Sequence, residues 1–434
     1  MAVDTPARLA ILGAGPIGLE TALYARYLGY DVDIYERGDI AQNVRKWGHV
    51  RMFTPFRLNS SPLALAALKA QSDDFTEPDP EAFLTGAEWV EQYLLPLAHS
   101  DLLCDDLRPH TEVLAVSRDV FLKGDLPGGE ERGDDTFRIL ARDPQGQEFV
   151  AEADVVIDAT GVFHSPNHVG VGGAPAMGET ALCAEGVVGY HPPDILGVDR
   201  SRYENQRTLV VGRGYSAATT IAALAELAVT APATSVVWIT RGEPGAGLDE
   251  EASPVAETPT EPFGRIPDDR LPARDQLAAK VNALATAVDT PIDHRPGCSV
   301  AKIERRDGRF AVTFCGRSSA VEEFDAIIAN VGYRPDHTLS RELQLHTCYA
   351  TEGPMKLATQ LLGQSSVDCL DQVAAGPASL FTPEPNFYLL GAKSYGRNSQ
   401  FLYTVGLAQI RDLFSILGDR KSLDLYANHP GTVS

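Results

Sequence analysis

The 434-residue sequence has few cysteines, a shortage of basic residues and no long hydrophobic run. Its six cysteines are scattered, without a C-x-x-C pair or a Cys/His cluster spaced for zinc, so we expect reduced thiols and no bound metal. No apolar run approaches the roughly eighteen residues of a membrane span, and no basic cluster of the signal-peptide kind precedes the first apolar stretch. These absences predict a cytoplasmic protein without a membrane partner.

The charge balance is strongly acidic, with 37 lysines and arginines against 59 aspartates and glutamates. A net charge of −22 repels phosphate backbones and anionic membranes, so we expect no nucleic-acid partner. The hydrophobic fraction of 44% is that of an ordinary globular protein, and the length predicts two or three domains.

A glycine motif lies close to the start of the chain, where residues 10–20 read A-I-L-G-A-G-P-I-G-L-E after a short apolar run. In a strand–turn–helix unit, the first glycine permits the tight turn, the second lets the backbone approach a pyrophosphate, and the third allows close helix packing. The helix N-terminus adds unpaired N–H groups and a positive dipole end. The motif therefore predicts a dinucleotide site, with contacts from Gly13, Gly15, Pro16, Ile17 and Gly18.

A second predicted strand, residues 31–35, ends in Glu36, whose carboxylate can accept the hydrogen bonds of an adenosine ribose. The next segment, residues 37–57, begins with Arg37 and is rich in aromatic and cationic side chains. We expect it to line the reactive end of the cofactor, with Trp47 among the contacts. Alternatively, its aromatic side chains only anchor the loop.

Local patterns predict several further elements. Ser60 or Ser61 caps a helix that begins at Pro62. An Asp307-Gly308 turn closes a hairpin. A buried strand ends in the small-residue turn Thr160-Gly161, and residues 162–205, rich in proline and glycine, are typical of a linker. Three short strands predict a small antiparallel sheet at residues 112–116, 137–141 and 148–151.

The opening pattern then recurs. A strand at residues 207–211 leads into Gly212-Arg213-Gly214-Tyr215-Ser216-Ala217, an alanine-rich helix and a second strand that ends in Arg241. Two copies imply two nucleotides. A guanidinium in place of a strand-end carboxylate can bind a 2′-phosphate, so this copy predicts NADPH rather than NADH. Alternatively, Arg241 is a surface arginine.

Near the C-terminus, residues 386–392 form a last buried strand that includes Gly391, followed by a predicted helix over residues 401–417. Asn398 or Ser399 is placed to cap that helix. Its positive end would then stabilise negative charge on a bound cofactor, although an ordinary capped helix accounts for the pattern equally well.

These motifs together resemble the flavin-containing monooxygenase superfamily of two-dinucleotide-binding flavoproteins. The resemblance rests on G-A-G-P-I-G at 13–18, Glu36, A-T-G at 159–161, G-R-G-Y-S-A at 212–217 and G-Y-R-P at 332–335. W-G-H-V-R-M-F-T-P-F at 47–56 and S-Y-G-R at 394–397 are similar to bacterial flavoproteins encoded beside arsenic- and metal-resistance genes.

The resemblance implies an α/β fold of two Rossmann-like domains, with the NADPH domain inserted in the FAD domain. The implied boundaries are residues 1–165 and 334–434 for the FAD domain and 166–333 for the NADPH domain. FAD would bind Gly13, Gly15, Gly18 and Glu36, with Thr160 and Gly161 packed against it. NADPH would bind Gly212, Gly214, Tyr215, Ser216, Ala217 and Arg241.

The implied activity is that of an NADPH-dependent FAD monooxygenase, which uses O2 to transfer one oxygen atom to a small molecule through a C4a-(hydro)peroxyflavin. By the same resemblance, Asn59 lies at the flavin C4a position, where His49 or Arg51 could supply further hydrogen bonds. Alternatively, His49 is an ordinary packed or surface histidine, which is the commoner role of a single histidine. Lys393, Arg397 and Arg51 indicate an anionic ligand or hold cofactor phosphates.

Two other functions stay open on the sequence. The first is an NADPH-dependent reductase for a small disulfide, a quinone or an electron carrier, although the absence of a C-x-x-C argues against an internal dithiol. The second is a non-catalytic redox sensor. The oligomeric state is also open, and a homodimer is possible.

Overall fold

The computed structural model describes residues 3, 5–186, 188–241, 261–317, 319–363, 368–372 and 375–427. The chain divides into two compact units. The first consists of Met1–Ser165 together with Arg334–Ser434, and the second of Pro166–Tyr333. The second unit therefore lies between the two segments of the first in sequence.

The strands are short, as is usual for globular proteins. In chain order they are β1 Arg8–Leu12, β2 Asp31–Tyr35, β3 Leu107–Arg108, β4 Glu112–Arg118, β5 Phe137–Arg142, β6 Glu148–Ala153, β7 Val155–Asp158, β8 Arg207–Val211, β9 Ser235–Thr240, β10 Ile292–Pro296, β11 Cys298–Arg306, β12 Arg309–Gly316, β13 Val321–Phe324, β14 Ala326–Ala329 and β15 Phe387–Leu389.

The α-helices are α1 Pro16–Tyr27, α2 Gln42–Arg45, α3 Pro62–Gln71, α4 Gly86–Trp89, α5 Leu95–Ala98, α6 Glu179–Ala184, α7 Arg200–Tyr203, α8 Tyr215–Thr230, α9 Pro272–Thr286, α10 Met355–Leu362 and α11 Tyr403–Leu417. A π-helical turn, Val90–Leu94, joins α4 to α5. Short 3₁₀ turns lie at Phe56–Leu58, Glu130–Asp134, Val171–Gly173, Thr338–Ser340, Cys369–Asp371, Pro377–Leu380 and Gly391–Tyr395. Among the described residues, no helix has the length and hydropathy that crossing a bilayer requires.

The first unit is built on a parallel sheet with the strand order β15-β7-β1-β2-β3. In its register Leu12 of β1 pairs with Tyr35 of β2 and with Asp158 of β7. The residues that follow these three strands therefore emerge at the same edge of the sheet, which is where ligands of parallel sheets bind.

Both faces of this sheet are covered, as burial of a parallel sheet requires. Helices α1, α3 and α11 pack on one face in a single apolar core. On the other face Ala10 and Leu12 pack against Phe137 and Ile139 of the antiparallel sheet β4-β5-β6. The predicted antiparallel sheet is confirmed.

The second unit repeats this plan with a parallel sheet of order β10-β9-β8-β14. Helices α8 and α9 cover one face, and the antiparallel sheet β11-β12-β13 packs on the other. Asp307 and Gly308, with φ of 48° and 84°, form the turn between β11 and β12. The predicted hairpin and the predicted α/β class are both confirmed.

Two other local predictions have different outcomes. The Ser61 cap is confirmed, since the Ser61 hydroxyl accepts a hydrogen bond from the Ala64 N–H at 2.9 Å. The linker interpretation of residues 162–205 is wrong in part, because this stretch contains α6, α7 and a 3₁₀ turn. Buried side chains such as Glu179 and Tyr203 hold these elements onto the second unit.

The predicted cap of the last helix is wrong. The helix α11 begins at Tyr403, and its N-cap is Leu402 rather than Asn398 or Ser399. The chain first turns at Gly396, where φ is 66°, and the Asn398 carboxamide oxygen accepts a hydrogen bond from the Gln400 N–H at 2.9 Å. Asn398 therefore stabilises the preceding turn and is not available to the helix.

Candidate functional site

The glycines between β1 and α1 have distinct structural roles. Gly13 has φ of 100°, and a Cβ there would lie 3.0 Å from the Ala159 carbonyl oxygen. A Cβ on Gly18 would lie 1.9 Å from the Gly13 carbonyl oxygen. A Cβ on Gly15, by contrast, would have no heavy atom of the described residues within 4 Å. The fold requires the outer two glycines, whereas the middle one leaves an open space at the helix N-terminus.

Glu36 follows β2 at the same edge. One carboxylate oxygen accepts the Ala14 N–H at 2.9 Å, and the other accepts the Gly38 N–H at 2.8 Å. These two bonds fix the carboxylate beside the glycine turn. Since a carboxylate offers about four acceptor sites, it can accept two further hydrogen bonds, as from the hydroxyls of a ribose.

A cavity of about 620 Å³ extends from this glycine turn through the first unit. Its volume lies within the range of about 300–1,000 Å³ that small-molecule sites occupy. Its lining brings together most of the sequence-predicted residues of the first unit, which are Gly13, Gly15, Pro16, Ile17, Glu36, Arg37, Trp47, Asn59, Thr160, Gly161 and Gly391. Gly18 is buried beneath the turn.

Asn59 belongs to the cavity wall and is buried. Its amide nitrogen donates to the Pro55 carbonyl at 2.9 Å and to the Thr54 hydroxyl at 2.8 Å. The backbone carbonyl of Asn59 accepts a hydrogen bond from the indole N–H of Trp89 at 2.8 Å. The amide hydrogens thus already have partners, and Asn59 acts in this structure as a fixed part of its loop.

His49 and Arg51 lie elsewhere. Both side chains are exposed and lie outside the lining of the cavity. The Arg51 guanidinium donates to the Phe83 carbonyl and lies 3.8 Å from the Glu88 carboxylate. The structure therefore does not bring these two residues to Asn59, and the predicted catalytic set is separated into a wall residue and two surface residues. Asn398 and Ser399 also lie outside this lining.

An ion pair that the sequence analysis missed lies next to the glycine turn between β1 and α1. The Lys393 ammonium is 2.6 Å from the Asp158 carboxylate and donates to the Thr160 hydroxyl at 3.0 Å. Asp158 and Lys393 are both fully buried. The pair fixes Thr160 at the wall of the cavity while neutralising the lysine charge. The sequence analysis identified Lys393 as a candidate ligand for an anion but not its partner Asp158, a charged residue in the apolar strand V-V-I-D.

A second missed group is Glu20, which is fully buried in α1. The Tyr403 hydroxyl donates to its carboxylate at 3.2 Å. Burial raises the pKa of Glu20 to about 7, and hydrogen bonds from Ser61, Tyr403 and Tyr426 oppose this rise. Tyr403 also belongs to the cavity wall, so this buried carboxyl group lies one residue behind the cavity.

The second unit repeats the glycine geometry between β8 and α8. Gly212 has φ of 142°, and a Cβ there would lie 2.0 Å from the Asn330 carbonyl oxygen. A Cβ on Gly214 would again have no heavy atom of the described residues within 4 Å. Gly214 and Ser216 are exposed at the start of the helix, whereas Ala217 is buried against the sheet.

Arg241 directly follows β9. Its guanidinium donates from Nη2 to the carbonyl oxygens of His168 and Gly170, the latter at 3.1 Å. The residue as a whole is exposed. Arg241 is therefore held along one edge of its guanidinium while Nε and Nη1 are not engaged by these two carbonyls.

Comparison with known proteins gives information about the fold. No protein-family model matches the sequence, and no curated protein does. Solved structures match over nearly the whole chain. Bacillithiol disulfide reductase Bdr from Bacillus cereus is 16% identical with a TM-score of 0.60, over 95% of this chain and 99% of that chain. Ornithine N-hydroxylase from Kutzneria sp. 744 is 16% identical with a TM-score of 0.58, over 96% of this chain and 100% of that chain.

A variant of the flavin monooxygenase from Stenotrophomonas maltophilia is 19% identical with a TM-score of 0.55, over 97% of this chain and 100% of that chain. The chain therefore has the two-domain α/β fold of FAD- and NAD(P)-binding flavoproteins. The narrower resemblance to flavoproteins encoded beside arsenic-resistance genes stays a prediction.

Proposed function

We propose that the protein is an oxidoreductase that binds FAD on the first unit and NADPH on the second, and that it transfers one oxygen atom from O2 to a small molecule. The observation that carries the proposal is the open space at Gly15 and at Gly214. Neither position has a positive φ, and the described residues leave room for a Cβ at either. A ligand that approaches the backbone closely gives a reason for glycine at both.

In the first unit, Gly15 and the N-terminus of α1 would hold the pyrophosphate of FAD, and Glu36 the adenosine ribose. The cavity that begins at these residues has room for the remainder of the cofactor. When bound, FAD supplies two-electron redox chemistry between NADPH and an acceptor.

The protein's own contribution to the cavity includes a set of apolar side chains in its wall. Trp47, Met52, Trp89, Phe401 and Leu402 are among its lining residues. Apolar side chains exclude water from a reacting centre, which suppresses the hydrolytic side reactions of an oxygen-transferring site. None of the described lining residues is a cysteine, so electron transfer to a dithiol in this wall is not supported.

The competing function is an NADPH-dependent reductase for a small disulfide, a quinone or an electron carrier. The likeness in fold to the Bacillus cereus disulfide reductase favours it, over 95% of this chain. The same fold also carries the two hydroxylating or oxygenating enzymes, so the fold leaves both candidates in place.

One experiment separates the two. The purified protein is loaded with FAD, reduced with NADPH without oxygen, and then mixed with aerated buffer, glutathione disulfide or a benzoquinone. In aerated buffer we expect a transient near-ultraviolet absorbance to precede the return of the visible flavin absorbance, and we expect neither the disulfide nor the quinone to accelerate that return. Slow return in air but rapid return with either acceptor would favour the reductase. A protein that takes up no flavin would overturn the whole proposal.

Replacing Arg241 by methionine should remove the preference for NADPH. A hydrogen bond to a charged group contributes about 1.5–3 kcal/mol, so the dissociation constant for NADPH should rise about ten- to a hundredfold. The constant for NADH should stay within about a factor of two, because NADH has no 2′-phosphate. Fluorescence titration of the variant with each nucleotide measures both constants.

Arg213 provides the matched control for this prediction. It lies in the glycine turn itself, and its side chain donates to the Pro262 carbonyl at 3.3 Å. We expect Arg213→Met to change the affinities for NADPH and NADH by the same factor. Equal losses with Arg241→Met would instead show that Arg241 does not recognise the 2′-phosphate.

A further inference from the structure

The loop formed by residues 169–176, called the 169–176 loop below, is tightly folded. A Cβ on Gly170 would lie 2.4 Å from the Ala174 carbonyl oxygen, so the two limbs of the loop are in close contact. Gly172 and Gly173 have φ of 65° and 85°, which glycine adopts most readily. This loop conformation therefore depends on glycine at these three positions.

One carboxylate joins the two ends of the 169–176 loop. Oε1 of Glu179 accepts the Val169 N–H at 2.9 Å, and Oε2 accepts the Ala176 N–H at 2.7 Å. The Tyr190 hydroxyl donates to Oε1 at 2.5 Å. Glu179 has no exposed surface. Three donors compensate the burial of this charge, and two of them are the backbone groups that begin and end the loop.

The 169–176 loop and the residue directly before it in turn hold Arg241. The two carbonyl oxygens that accept its Nη2 hydrogens belong to His168 and Gly170, next to the Val169 N–H that Glu179 binds. The Nη1 atom lies 3.8 Å from the place where a Cβ on Gly173 would be. The position of the guanidinium is thus set by the shape of the loop, and that shape is set by Glu179.

The charges in this region are arranged around the same carboxylate. Burial lowers the pKa of the Arg241 guanidinium, and the Glu179 charge opposes this shift. His168 Nδ1 lies 3.6 Å from Oε1. An arginine held in advance loses less conformational entropy when it binds a phosphate. If the loop loosened, Arg241 would have to lose conformational entropy on binding, and its affinity for a phosphate would fall.

We propose that Glu179 is the positioning residue for Arg241 and that it thereby determines how strongly the second unit discriminates between a 2′-phosphate and a 2′-hydroxyl. The inference rests on the proposed binding of NADPH at this unit. It concerns only adenosine nucleotides that carry a 2′-phosphate.

The test measures binding rather than turnover. Adenosine 2′,5′-bisphosphate and adenosine 5′-phosphate are titrated by calorimetry into the full-length protein and into Glu179→Gln. Glutamine cannot accept both backbone N–H groups, because one of its two side-chain positions is a donor. We expect the preference for the bisphosphate to fall about tenfold, an effect between the loss of one hydrogen bond and the loss of the whole arginine contact. The affinity for the 5′-phosphate should not change.

Two further variants separate positioning from general destabilisation. In an Arg241→Met background, Glu179→Gln should have no additional effect on the preference, since coupled residues are not additive. Glu322→Gln removes ion pairs to Arg207 and Arg295 within the same unit and should lower the melting temperature without changing the preference.

The outcomes are distinguishable. If the unmodified protein binds both nucleotides equally, the proposed NADPH preference fails. If the unmodified protein prefers the bisphosphate and Glu179→Gln retains that preference, the proposed role of Glu179 is overturned while NADPH binding stands. An equal effect of Glu179→Gln with and without Arg241 would also overturn it.

Discussion

The Gly15→Ala protein should fold normally but retain little flavin. The backbone at Gly15 has φ of −82° and ψ of −177°, which alanine adopts without strain, and the new Cβ meets no described protein atom within 4 Å. The same methyl group occupies the space proposed for the pyrophosphate. Overpacking costs about 1–3 kcal/mol, so the FAD dissociation constant should rise about five- to more than a hundredfold. Flavin content after purification and titration of the apoprotein with FAD measure the effect.

Two alanine variants serve as controls for this prediction. Gly18→Ala places a Cβ 1.9 Å from the Gly13 carbonyl oxygen and should lower the melting temperature of the apoprotein itself. Gly214→Ala has the same open geometry in the second unit and should leave flavin retention unchanged. A Gly15→Ala protein that binds FAD as tightly as the unmodified protein would refute the proposed pyrophosphate site at Gly15.

The second large effect is a gain in stability at alkaline pH when Glu20 is replaced by a neutral side chain. Burial raises the pKa of Glu20 in the folded protein from 4.5 to about 7. Between these two values the unfolded chain releases its proton first, so the free energy of unfolding falls as the pH rises through this range. We expect Glu20→Gln to be more stable than the unmodified protein at pH 8 by up to about 3 kcal/mol, with little difference near pH 4. Urea denaturation at a series of pH values measures the difference.

Glu384 is the natural control, because it is an equally buried carboxylate in the same unit that does have cationic partners. Arg118 and Arg132 bind its two oxygens at 2.8 and 2.9 Å, and all three side chains are fully buried. Glu384→Gln leaves both cations uncompensated and should destabilise the protein by about 3–5 kcal/mol. If Glu20→Gln were also destabilising at pH 8, the hydrogen bonds to the Glu20 carboxylate would outweigh the cost of its burial.

The elements predicted correctly are those that depend on residues close together in the chain. The Asp307-Gly308 turn needs two residues that tolerate positive φ, and the Ser61 cap needs a hydroxyl three residues before the N–H that it accepts. The misplaced start of the last helix shows the limit of such signals. Asn398 has the right chemistry for a cap, but the turn at Gly396 orients it to Gln400 instead.

The residues of the candidate site likewise fall into those that the sequence predicted and those whose contacts it did not reveal. Gly15 and Glu36 lie at strand ends that the sequence pattern identifies, and the parallel register brings them to one edge. The partners of Asn59, by contrast, were not predictable, because the Asn-Ser-Ser segment does not reveal that the amide is engaged by Thr54 and Pro55. The exposure of His49 and Arg51 also depends on how their segment folds back.

The sequence alone determined the two glycine turns, the charged residue at the end of each second strand, and the α/β class. These features are local, because backbone sterics and strand periodicity act over a few residues. Only the tertiary structure decided which distant groups meet, such as Lys393 with Asp158 or the carboxylate of Glu179 with both ends of the loop that holds Arg241. Such contacts depend on the order in which strands assemble into sheets, and that order brings together residues that no local pattern connects.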